Sequence, residues 1–149
     1  MKKSDRLKLI VDLNADQEKK ALEAFGQIQQ KQIQLQEQID GLKNYRLETL
    51  AKFDLNCATG ARIGQMLEFR SFIEKLDKAI QGQEQALTQL EVEVSRARHN
   101  WLNLHNRTEN LEKISDKALK MELKEEDKRE QLEQDDRVSS GRRGGTRNA

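Results

Sequence analysis

Proline is absent from this chain of 149 residues. Nothing therefore deletes a backbone donor or kinks a helix from within, and very long helices are permitted. Cysteine occurs once, at Cys57, which excludes an internal disulfide and fits a reducing cytosol. Aromatic residues make up only 4% of the chain. With so few, and few branched residues beside them, neither a β-sandwich nor an α/β core can be filled. Charge of one sign is also lacking. The net charge is +1, so no overall field draws in nucleic acid or an anionic membrane. Long apolar runs are missing as well. Lys2 and Lys3 resemble the start of a secretory leader, but the run Leu9-Ile10-Val11 stops at Asp12. That is shorter than a leader's apolar segment, and no window reaches the roughly 18 apolar residues of a membrane span. The expectation is a cytoplasmic protein.

What is present is periodic. Charged residues are 36% of the chain and hydrophobic ones 35%, the balance of a coiled coil. Alternating steps of three and four from Met66 reach Phe69, Ile73, Leu76, Ile80, Gln83, Leu87, Leu90, Val94, Ala97, Trp101, Leu104, Thr108, Leu111, Ser115 and Ala118; 13 of these 16 are apolar. That spacing keeps one stripe of a long helix turned toward a partner helix. The same stepping from Leu7 gives Val11, Asn14, Glu18, Ala21, Phe25, Ile28, Gln32, Leu35, Ile39, Leu42, Arg46, Thr49 and Phe53, with 9 of 14 apolar. Its polar members weaken the seam and help to fix its register.

Between the stripes, residues 54–65 read DLNCATGARIGQ, with Asn56, Thr59, Gly60 and Gly64 as turn formers. Two long amphipathic helices around one turn predict an all-α fold, an elongated antiparallel two-helix coiled-coil hairpin. The predicted boundaries are helix one at 5–55, the turn at 56–65 and helix two at 66–135. Ser4 or Asp5 is the expected N-cap. Past Leu111 the stripe is expected to slip to Ile114, Ala118 and Met121, a stammer. Pairing about the turn should use up helix two near residue 115. From Glu122 to Asp136 there are 8 acids and 3 bases, a solvated helix. The hairpin domain is set at 1–136, and residues 137–149, rich in glycine, serine and arginine, are expected to form a disordered tail.

No catalytic, cofactor or metal site is expected. The phosphate-cradling GxxxxGK[ST] and the dinucleotide GxGxxG do not occur. His99 and His105 are six apart, on different helix faces, and read as solvated surface residues. Cys57 has no histidine near it in sequence to activate it. A coiled coil also offers no pocket in which to dry a substrate. The six aromatic residues say more. Tyr45, Phe53, Phe69 and Phe72 all flank the turn. Phe53 and Phe69 are on the stripe and should close the core there. Tyr45 and Phe72 sit one step beside it, at nearly the same height once the hairpin folds near residue 60. Gln38, Leu42 and Tyr45 follow i, i+4, i+7 spacing, and so do Phe72, Leu76 and Ala79. Side by side these ridges make either an apolar partner site or extra core.

With these features the chain resembles the flagellar export protein FliJ family over roughly residues 5–120. The resemblance is carried by Leu7 to Leu13, Gln38-x3-Leu42-x2-Tyr45, the glycine-bearing turn and FRSFIEKLDKAI from Phe69 to Ile80. It implies a non-enzymatic component of the bacterial flagellar type III export apparatus, peripheral to the inner membrane, folded like the stalk γ subunit of rotary ATPases. The implied partners are the hexameric export ATPase FliI, the export gate protein FlhA and export chaperones. The family's gate-binding surface falls on Gln38, Leu42, Tyr45, Phe72, Leu76 and Ala79. Thr49 stands where an aromatic is familiar, and Gln83 where a histidine is. The implied ATPase-binding end carries Lys8, Asp12, Lys19 and Lys20 on helix one and Arg107, Glu109, Glu112, Lys113 and Lys117 on helix two. Such a polar, mixed-charge end suits a contact that must also release. The alternative is a structural coiled coil that dimerises through its stripe. A monomer near 17.3 kDa is the expectation for a closed hairpin.

Overall fold

The structure, a computed structural model, describes residues 2–60 and 62–147, with side chains as far as Gly141. Two helices account for it: α1, Lys3–Ala58, and α2, Ile63–Arg147. They divide into two compact units, Met1–Lys19 with Asn103–Ala149, and Lys20–Leu102. Within each unit α1 and α2 run antiparallel and face each other along the two stripes. Every α1 stripe position is buried or half-buried, and so is every α2 position except Met66. In the 20–102 unit the most enclosed side chains are Ile39, Ala21, Ile80 and Leu76. A two-helix seam cannot enclose its side chains on all sides, so most stripe residues stay half-buried.

The six aromatic residues form three pairs, and every pair joins α1 to α2 inside the 20–102 unit. Phe53 stacks on Phe69 with centroids 3.7 Å apart, Phe25 stacks with Trp101 at 6.4 Å, and Tyr45 meets Phe72 edge-on at 6.2 Å. One flank of the seam is laced by Arg46 Nε to Asp77 at 2.6 Å and Lys43 Nζ to Glu84 at 2.9 Å. Asp77 and Glu84 are two turns apart on α2, so the two pairs follow one edge.

The turn is narrower than the predicted 56–65. Asn56 and Gly64 lie inside the helices. At the end of α1 the N–H of Thr59 donates to the Asn56 carbonyl at 3.1 Å, and that of Gly60 to the Cys57 carbonyl at 3.2 Å. Gly60 has φ of 96°, the left-handed conformation that closes a helix C-terminus. On the other side Gln65 Oε1 accepts the Arg62 N–H at 3.3 Å, as the third residue of a helix does in a capping box.

Three expectations are corrected in the unit containing the termini. Ser4 is not a cap, because α1 already begins at Lys3. Its N–H and its hydroxyl both donate to the Glu122 carboxylate of α2. Pairing therefore does not end near residue 115. It runs on through Glu122 and out to Lys2 and Glu126, 2.8 Å apart. There is no stammer either. Ile114 and Met121 are 51% and 58% exposed, while Ser115, Ala118 and Glu122 hold the seam. The physical reason is Ser4: with a donor pair opposite, a carboxylate fits the seam better than the methionine next to it. Beyond Glu122 every described residue as far as Gly141 is exposed. The helical backbone carries on through Arg147, where the sequence predicts disorder over 137–149; Asn148 and Ala149 lie outside the described residues.

Candidate functional site

In the 20–102 unit the two ridges meet. Phe72 and Tyr45 touch edge-on and stay 41% and 50% exposed, whereas Leu76, one turn on from Phe72 along α2, is 9% exposed. Leu42 is half-buried, and Gln38 and Ala79 are exposed. The pair is thus neither core nor fully solvated. Thr49 donates its hydroxyl to the Tyr45 carbonyl of its own helix at 2.7 Å. Gln83 lies in the seam with its Oε1 buried and without a hydrogen-bond partner. Nearer the turn, Leu50, Phe53, Met66, Phe69 and Ile73 line an open apolar groove of about 430 Å³. The exposed ion pair of Arg70 and Glu74, at 3.7 Å, borders it.

In the unit holding both termini the seam turns polar. Asn14 and Thr108 are buried and donate to carbonyls of their own helices, Asn14 to Ile10 at 2.9 Å and Thr108 to Leu104 at 2.8 Å. Glu18 Oε1 lies 2.6 Å from Nδ1 of His105, and Glu109 Oε1 lies 3.3 Å from its Nε2. The Glu18 hydrogen bond holds the imidazole above its ordinary range, against the opposing effect of burial. Expecting both histidines to be solvated was wrong for His105, which is half-buried; His99 is exposed. The missed signal was Glu18 itself, a carboxylate on the stripe that needs a partner. Glu122 is held below its usual range by the Ser4 hydroxyl first and the Ser4 N–H second. Lys8, Asp12, Lys19, Arg107, Glu109, Glu112, Lys113 and Lys117 are all exposed in this unit; Lys20, also exposed, falls in the other.

Among the described residues no helix is long and apolar enough to cross a membrane, and no group of three or more His, Cys, Asp or Glu side chains is arranged to hold a metal. Comparison with known protein families matches residues 2–144 to the family described as Flagellar FliJ protein. The chain belongs to this family. It is accordingly a component of the flagellar export apparatus, in a family whose members are non-enzymatic. No curated protein and no solved structure matches the chain.

Proposed function

We propose that the chain is a stalk-like adaptor of flagellar export. It engages the export gate protein FlhA through the Tyr45–Phe72 ridge and the hexameric ATPase FliI through the unit that holds both termini, with export chaperones as further partners. The observation that carries the reading is the ridge: two paired aromatic rings, half exposed, one turn from buried Leu76 in a chain of this family. A half-exposed aromatic pair is the type of surface that anchors a partner, because docking dries rings already fixed in place. The termini-bearing unit supports the second contact by its polar seam and its mixed, exposed charges. Such surfaces steer encounter and permit release.

The test is capture of the chain on the immobilised cytoplasmic domain of the gate protein. Phe72→Ala, alone or with Tyr45→Ala, is expected to weaken capture at least tenfold, the effect of about 1.4 kcal/mol or more. Far-UV helicity should persist, since a ring already 41% exposed costs less to truncate than the roughly 3–5 kcal/mol of a buried phenylalanine. A variant that binds as well as the parent retires the ridge. Loss of binding only in step with loss of helix shows that the rings act as core.

A further inference from the structure

His105 stands between two carboxylates. Glu18 reaches Nδ1 from α1, and Glu109, one turn further along α2, faces Nε2. Both contacts fall within one unit. A neutral imidazole carries one N–H, so it satisfies one carboxylate and turns a lone pair toward the other. Only the imidazolium answers both. Glu18 is the more enclosed acid, its side chain 21% exposed, at a stripe position of the seam. Left without a cation there, it is a partly desolvated charge with no apolar contribution to offset it. The layer beside it is already weak. Asn14 and Thr108 spend their hydrogen bonds on their own helices and none across the seam.

From these positions we propose that Glu18, His105 and Glu109 form a proton-operated clasp. With the ring protonated, the Lys3–Lys19 segment of α1 is held against α2. With the proton lost, the segment separates from α2 by local opening. The charged groups facing the ring are Glu18 from α1 and Glu109 from α2. Glu112, two turns along α2 at about 10 Å, is exposed. Lys19, next to Glu18, is exposed. Unpaired histidine titrates at 6.5, and the two acids raise that value in the folded chain. A raised value gives stabilisation that is complete below 6.5 and disappears as pH rises through the folded value. The clasp is closed below pH 6.5 and opens as pH rises through the raised folded value.

Two measurements on the full chain test this. In an NMR titration, both ring nitrogens of His105 should stay protonated above pH 6.5; a ring that titrates at or below that value overturns the clasp. In hydrogen exchange, corrected for intrinsic rates, amides of residues 3–19 should lose protection several-fold between about pH 6 and about pH 8.5. Residues 20–58 should change far less. His105→Gln is neutral throughout and should show weak protection of 3–19 with no such step. His105→Lys stays charged and should retain protection at the alkaline end. If the glutamine variant keeps the step, or the lysine variant opens in parallel with the parent, the pH dependence belongs to another group and the proposal is wrong.

Discussion

Glu122 occupies a stripe position that an apolar residue would fill elsewhere, and it answers two donors of Ser4 at once. One of them is a helix-start N–H, a group that α1 cannot satisfy within itself. The carboxylate, held below 4.5 by these bonds, gives stabilisation that is present above 4.5 and lost as pH falls through its folded value. Acidification from about pH 6 to about pH 3 is therefore expected to loosen the first turn of α1. Glu122→Gln should begin less protected at pH 6 and lose less on acidification, as read by hydrogen exchange at residues 3–8. Equal acid sensitivity in both proteins would place the titrating group elsewhere. Ser4 and Glu122 are 118 residues apart, and no local pattern joins them. The same holds for Glu18 and His105. The polar seam positions were legible as anomalies, but their partners needed a register accurate to one residue, which a turn of uncertain width does not supply.

At the scale of the helix and turn, two glycines of unlike setting make a matched experiment. Gly60 has φ of 96°, and an L side chain there is strained although space is open around it. Gly82 sits inside α2, where an added Cβ meets nothing within 4 Å. Gly60→Ala should cost about 1 kcal/mol, while Gly82→Ala should add about 0.5–1 kcal/mol. Urea unfolding followed by helical circular dichroism reads both, and the opposite signs are the point. If both substitutions stabilise, Gly60 does not end α1 in the left-handed conformation. The helices themselves were legible because the three-four spacing persists over many turns and nothing interrupts it. The turn was read too wide because Asn56 and Gly64 are turn formers by type. In place they are tolerated near helix ends, with Gln65 and Gly60 supplying the capping that decides where the helices stop.

For the whole molecule, the fold follows from the two stripes, whereas the proposed surfaces do not. Which residues make the Tyr45–Phe72 ridge was legible from i, i+4, i+7 spacing. Whether the rings were wet was not, because residues beside a seam can fold over it or away from it. If the termini-bearing unit meets the ATPase, removing residues 1–13 together with 118–149 should abolish stimulation of ATP hydrolysis by the hexamer, with gate binding retained. A trimmed chain that stays helical and stimulates fully would move that contact elsewhere. The distribution of the aromatic pairs also bears on how the chain assembles. Phe53 and Phe69 are only sixteen residues apart and close-stacked beside the turn. Joining them requires a far shorter loop than joining Ser4 to Glu122, a difference of about 2 kcal/mol in closure entropy if each formed alone. Folding is therefore expected to start at the turn and zip outward, each layer shortening the loop for the next. During synthesis α1 emerges first, with half a seam bare. It has nothing to close on until the ribosome has made Phe69 and then the rest of α2. The contacts expected to form last are those that tie the start of α1 to Glu122 and Glu126.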